Sequence, residues 1–253
     1  MKITARAGEA FGVTVEGLDA AEASSADLAM LKKAVYADKI AVLKGQDVTR
    51  DGILALGKRL GRRAEFHEPV YRSPGCFWHS DYLLTRAPFD FALAYPKVVP
   101  TYFIDMAAAY RRLSADLKLA VVGATATHSV LRHAKLLPAD VRRPISELVQ
   151  VVTGKAPPVT NSITEPHPRT GETVLHLSEG FTTSVQDAGG ADRPDLLARL
   201  LEVTGQLDRT YQHDNVHLQT FEAGDLLVWD NRSLIHHASY TATPEPVVSV
   251  YDG

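Results

Sequence analysis

The chain has one cysteine, Cys76, so no disulfide can close within it. That scarcity suits a reducing compartment, and a cytoplasmic location is the expectation. Basic residues are not in excess: 27 Lys and Arg against 30 Asp and Glu leave a net charge of −3. A slightly acidic chain lacks the electrostatic footprint of a nucleic-acid binder. It also has no general attraction for anionic membranes. Long apolar runs are missing, since nothing approaches the ~18 residues of a membrane span. The first eleven residues hold Lys2, Arg6 and Glu9 and no apolar core, so no secretory leader is expected there. Repeats and low-complexity linkers are lacking too. The nearest boundary, Lys155-Ala-Pro-Pro-Val, is short, so residues 1–253 are expected to form one domain.

What is present is an ordinary globular composition, 45% hydrophobic and 23% charged, which argues against disorder, collagen and coiled coil. A unit of this size buries enough surface to stand without disulfide or metal staples. Residues 26–36 have helical spacing, with Leu28, Leu31 and Val35 on one face and Ser24, Ser25 and Asp27 at the start. Residues 49–60 repeat the pattern through Ile53, Leu56 and Leu60 and stop at Gly61. Between them Ile40-Ala-Val-Leu reads as a strand. Strands are expected at 89–95 and 101–104, a helix broken near Ser114 over 107–122, and a helix over 141–151. The second half is β-rich, with strands expected at 173–177, 217–221, 225–229 and 247–251 and one helix over 194–207 opened by Pro194. Early helices, late short strands and few βαβ units favour an α+β or barrel-like architecture over a doubly wound sheet. An eight-stranded sandwich flanked by helices fits the length.

Ten histidines stand in the chain, and only His79-Ser-Asp81 has a carboxylate two places on. Period two on a strand turns both side chains to one face. With roughly one residue in eight acidic, about one such triplet arises by chance. A second feature is Gly224-Asp-Leu-Leu-Val-Trp-Asp-Asn-Arg232, followed by His236-His237. Its plain reading is a strand and a loop holding an Asp–Arg pair. Adjacent histidines on extended chain face opposite ways, so at most one joins a given metal. Together the two segments offer two imidazoles and a carboxylate, the facial triad of non-heme Fe(II) oxygenases. A zinc hydrolase can use the same donors.

These segments resemble those of the taurine dioxygenase-like (TauD/TfdA), Fe(II)- and 2-oxoglutarate-dependent oxygenases. Phe66-His67-Glu-Pro-Val-Tyr71 is similar to the stretch before that family's first metal motif, and Trp78-His79-Ser80-Asp81 to its Trp-His-x-Asp. The segment 101–114, beginning at Thr101, resembles the strand and helix whose threonine touches the cosubstrate. Glu165-Pro-His-Pro-Arg-Thr-Gly171, with Gly180-Phe-Thr-Thr183, resembles a later hairpin. Trp229-Asp-Asn-Arg232 with His236 is similar to the distal histidine motif and is the most specific part. The resemblance implies a double-stranded β-helix, or jelly-roll, core. It implies Fe(II) held by His79, Asp81 and His236, with His237 outside the ligand set. It also implies that Thr101 donates to a bound 2-oxo acid. His67 and Tyr71, upstream of the metal motif, and His176 on a strand are candidate substrate contacts.

One departure bears on the cosubstrate. The family carries an arginine about a dozen residues past the distal histidine, clamping the far carboxylate of 2-oxoglutarate at two points. Residues 237–253 contain neither arginine nor lysine, and the position aligns near Val247 or Val248. Lys97 and Arg86 are the expected substitutes. The expected activity is oxidation of an unactivated C–H of a small polar molecule by O2, hydroxylation by default. The alternatives are an Fe(II) oxygenase of the same fold that does not use 2-oxoglutarate, or an inactive binding relative. No nucleic-acid or membrane partner is expected, and a homo-oligomer is compatible with everything above.

Overall fold

The computed structural model describes residues 1–66, 77–80, 84, 89–95, 101–133, 138–238 and 247–252. The chain opens with the antiparallel hairpin β1 (Lys2–Ala5) and β2 (Val13–Glu16). Helix α1 (Ser25–Asp38) follows, opened by a capping box in which Ser24 accepts from the Asp27 backbone and Asp27 reaches back to Ser24. Strand β3 (Ile40–Leu43) comes next, then α2 (Arg50–Leu60), capped by Thr49 and ended at Gly61 as the spacing predicts. Strands β4 (Arg63–Phe66), β5 (Phe91–Ala94) and β6 (Thr101–Asp105) precede the short helices α3 (Met106–Arg112) and α4 (Ala115–Ala120), broken at Ser114 as expected.

After them come β7 (Thr125–His128), α5 (Ile145–Lys155), β8 (Val159–Ser162), β9 (Thr164–Pro166), β10 (Thr173–Leu175) and β11 (Thr182–Gln186). Helix α5 starts later than residue 141 because Pro144 sits at its N-cap and opens it. Last are α6 (Pro194–Val203), β12 (His217–Gln219), β13 (Leu226–Asp230), β14 (Leu234–Ala238) and β15 (Val247–Tyr251). The architecture is α+β. Among the described residues no helix is long and apolar enough to cross a membrane.

Seven strands form the major sheet in the order β1-β2-β3-β13-β5-β15-β4, and β12-β6-β14 form a smaller one. Alternation along the central strands sorts their side chains into two cores. Ala41, Leu43, Phe91, Leu93, Leu226, Val228, Val248 and Val250 face outward against α1 and α2, on Leu28, Leu31, Val35, Ile53, Leu56 and Leu60. Ile40, Val42, Ala92, Ala94, Leu227 and Trp229 face the other way, onto Phe103 of β6 and Leu234 of β14. That second cluster fills the space between the two sheets. The far face of the small sheet is covered by α3, α4 and α6 through Ile104, Ile235, Ala107, Leu117, Leu196 and Leu200.

Candidate metal centre

The site is built on β14 and on a short extended piece at His79. His79 and His236 form an isolated antiparallel bridge. His79 N–H donates to the His236 carbonyl at 3.1 Å, and His236 N–H donates back at 2.7 Å. Residues that exchange both bonds stand directly opposite with side chains on one face. The imidazole centroids are accordingly 4.2 Å apart, inclined at 48°. His79 Nδ1 lies 2.7 Å from the Phe77 carbonyl. A carbonyl can only accept, so Nδ1 carries the proton and the ring lone pair sits on Nε2, the arrangement that orients a metal-binding histidine.

The same alternation turns Trp78 and His237 to the opposite face. Their rings are 5.5 Å apart, and the Tyr211 hydroxyl is 3.4 Å from His237 Nε2. His236 meets Trp229 at 5.7 Å and Phe103 at 6.0 Å between centroids, while Phe181 stands edge-on to His79 at 6.0 Å. The two imidazoles therefore sit at the inter-sheet space with aromatic walls. Trp229 and Phe103 were not legible as wall residues, because only the strand register turns them toward His236.

Two supports hold this geometry. The segment before β11 docks on the Trp78 backbone: Ser178 Oγ and Gly180 N–H both donate to the Trp78 carbonyl. A Cβ on Gly180 would lie 2.9 Å from that oxygen and 3.0 Å from Phe77 Cβ, so only glycine fits so close an approach. The turn between β13 and β14 is organised by fully buried Asp230, which accepts from Ser233 Oγ at 2.6 Å and from Arg232 N at 3.0 Å. Lys39 Nζ is 3.8 Å and His167 Nε2 3.2 Å from the same carboxylate. The loop's Asp–Arg pairing thus differs from expectation. Arg232 reaches Asp90, with Nε 3.0 Å from Oδ1, because the turn points its guanidinium across to the start of β5.

Thr101 opens β6, opposite Ala238 on one side and Gln219 on the other. It lies two residues from Phe103, which pairs with His236, so Thr101, Phe103 and His236 share a face. His176 is buried, with Nδ1 3.7 Å from Glu165 Oε2. Burial pushes its imidazole down to about 3, with the positive ends of His128, Arg232 and His167 adding to the effect. His217 is half-buried against Phe11, with ring centroids 5.2 Å apart. Asp81, Arg86, Lys97, His67 and Tyr71 lie outside the described residues. Among the described residues no three His, Cys, Asp or Glu side chains converge as a metal set; the third donor of the expected triad is Asp81. The two imidazoles fit a divalent ion, being borne by one bridge, set on one face and, in His79, fixed in tautomer.

The sequence profile described as "Taurine catabolism dioxygenase TauD, TfdA family" matches residues 3–247. The chain belongs to the TauD/TfdA family. It is accordingly an oxidoreductase of the dioxygenase class. Among curated relatives it is 24% identical to the alpha-ketoglutarate-dependent 2,4-dichlorophenoxyacetate dioxygenase of Cupriavidus pinatubonensis, over 89% of this chain and 88% of that one. It is 26% identical to the (S)-phenoxypropionate/alpha-ketoglutarate-dioxygenase of Sphingobium herbicidovorans, over 90% and 86%. In fold it is similar to the crystal structure of AAD-2 in complex with Mn(II) and N-oxalylglycine. The TM-score is 0.74 at 23% identity, covering all of this chain and 98% of that one.

Proposed function

We propose that this TauD/TfdA member is a mononuclear Fe(II) oxygenase that uses 2-oxoglutarate and O2 to oxidise an unactivated C–H of a small polar molecule, with hydroxylation as the outcome. Residues 1–253 form one domain around a double-stranded β-helix, and the protein acts in the cytoplasm. His79, Asp81 and His236 hold the iron, Thr101 donates its hydroxyl to the 2-oxo acid, and His67, Tyr71 and His176 contact substrate. The observation that carries the reading is the close pair of imidazoles, His79 and His236, on one face at the inter-sheet space. The curated relatives named for alpha-ketoglutarate point the same way.

When bound, iron and 2-oxoglutarate supply the oxidising chemistry, and the protein supplies position and exclusion of water. His79, His236 and Asp81 would hold the iron as two imidazoles and one carboxylate, a donor set that would leave coordination positions for the 2-oxo acid and O2. The Phe77 carbonyl keeps the His79 proton on Nδ1 and so presents Nε2. Trp229, Phe103 and Phe181 give the reacting C–H a dry, aromatic wall. A reading without 2-oxoglutarate is favoured by one observation: of Val247 and Val248, near which the family's arginine aligns, the inward-facing Val247 packs into the apolar inter-sheet cluster. Anaerobic titration of the Fe(II) protein with 2-oxoglutarate, followed by succinate release under O2, separates the readings. Binding with succinate release is expected. Oxygen uptake driven by substrate alone would sink 2-oxoglutarate as cosubstrate, and iron binding without any turnover would favour an inactive relative.

A further inference from the structure

Val247 turns inward and is apolar, and its neighbour Val248 turns outward, packed against Gly57. Neither position offers the far carboxylate of 2-oxoglutarate a cation. On the opposite flank of the sandwich a polar cluster stands beside Thr101. Gln219 is fully buried on β12, directly across from Thr101 on β6. Side chains so paired share a face, with Cβ atoms about 4.5–5.5 Å apart. Gln219 Nε2 donates to Glu9 Oε2 at 3.2 Å and to the Phe11 carbonyl at 3.3 Å, while its Oε1 is buried with no hydrogen-bond partner.

Arg6 completes the cluster from the β1–β2 hairpin. Its Nη2 donates to the Thr220 carbonyl at 2.8 Å and lies 3.9 Å from Glu9 Oε1. The guanidinium carbon is 6.0 Å from the centre of the Phe221 ring, and Nε is buried without a hydrogen-bond partner. A Cβ added to Gly12 would lie 3.2 Å from Arg6 Cδ, 3.6 Å from Ile40 Cβ and 3.7 Å from Gln219 Oε1. The three side chains therefore surround one small space that glycine leaves open. Ile40 and Phe221 belong to the same inter-sheet cluster as Phe103 and Trp229, the residues against His236. Thr101 is two residues, about 7 Å, along β6 from Phe103. One continuous face thus runs from the imidazole pair past Thr101 to Arg6.

We infer that Arg6 is the cation for the distal carboxylate of 2-oxoglutarate, reaching it from the β1–β2 side of the sandwich, and that Glu9 tempers its charge. The inference rests on the proposed use of 2-oxoglutarate. A buried guanidinium donor with no partner is a costly group that a carboxylate would satisfy. Glu9, whose carboxyl is pushed up by burial against the pull of Arg6, is the anion an incoming carboxylate must share it with.

The test is an anaerobic titration of the Fe(II) protein, read by the visible charge-transfer absorption of the chelate. Two ligands are compared: 2-oxoglutarate, and 2-oxopentanoate, which has the same carbon chain without the far carboxylate. Arg6→Gln should weaken 2-oxoglutarate roughly tenfold to a hundredfold and leave 2-oxopentanoate within about twofold. Glu9→Gln should tighten 2-oxoglutarate alone. If Arg6→Gln does not fold, Arg6→Lys and Glu9→Gln carry the same comparison, with a smaller loss and a gain expected. Unchanged 2-oxoglutarate affinity in these variants, or equal loss of both acids, would overturn the inference while leaving the cosubstrate in place. So would loss confined to Lys97→Ala or Arg86→Ala. Binding of neither acid by the unaltered protein would instead overturn the cosubstrate reading, and the inference with it.

Discussion

Arg232 donates its Nε to Asp90 Oδ1 at 3.0 Å, tying the turn before the distal histidine to the start of β5. The other Asp90 oxygen accepts the Asp252 N–H at 2.7 Å, so one carboxylate joins the β13–β14 turn, β5 and the residue after β15. Asp90→Ala should destabilise the fold by about 2–4 kcal/mol. That lies somewhat below the value for a fully buried pair, because the Arg232 side chain keeps 20% of its exposure. Arg232→Lys should recover little, since a single ammonium does not reproduce the directed fork of Arg. Urea midpoints of both variants decide this, and an unchanged midpoint in Asp90→Ala would remove the tie.

Metal content should separate the two adjacent histidines. His237 touches Trp78 and Tyr211 on the face away from the imidazole pair. His237→Ala should keep near-stoichiometric iron and lose stability through its packing. His79→Ala and His236→Ala should lose iron, while Asp81→Ala keeps a weakened fraction on two imidazoles. Iron lost from His237→Ala alone would move the distal ligand by one residue.

How far these features could be read beforehand depended on where their partners lie in the chain. Helices α1 and α2 announced themselves because Ser24, Asp27, Thr49 and Gly61 act within a turn of their own helix. Strands β1, β4 and β14 did not, since Lys-Ile-Thr-Ala, Arg-Ala-Glu-Phe and Leu-Ile-His-His-Ala gain their strand character from pairing with distant segments. The histidines of the triad were visible as residue types. That His236 rather than His237 faces His79 follows from opposite facing plus the bridge, and only the register supplies the bridge. Arg6 carried no local signal: its contacts on Thr220 and Phe221 join the two ends of the sequence.

The contact between α2 and β15 leaves no room for a methyl group. A Cβ on Gly61 would stand 2.5 Å from Val250 Cγ1 and 2.6 Å from the Tyr251 carbonyl, and one on Gly57 would stand 2.9 Å from Val248 Cγ1. Backbone cannot swing aside as a flexible side chain can. Gly61→Ala should therefore cost at least the roughly 1–3 kcal/mol of overpacking, and Gly57→Ala less. Equilibrium unfolding of the two variants checks the order. Equal or smaller loss at Gly61 would show that β15 yields.

Acid should loosen the fold through two buried imidazoles. Burial pushes His128 down to about 4, and burial with nearby positive groups pushes His176 down to about 3. In the unfolded chain both titrate near 6.5. Between about pH 6.5 and pH 4 the unfolded state therefore binds protons that the folded state refuses. Stability, full above pH 6.5, falls as pH drops through this window. Each group contributes a slope of about 1.4 kcal/mol per pH unit once the unfolded form is fully protonated. His128→Asn should lower neutral-pH stability, because its Nδ1 partner Thr182 Oγ1, at 3.0 Å, also holds the Ser178 N–H. The same variant should flatten the acid limb by about one proton. Urea unfolding of the metal-free protein at pH 7.5, 6.0 and 5.0 measures both effects. A parallel pH dependence in His128→Asn and the unaltered protein would mean that His128 takes up its proton without unfolding.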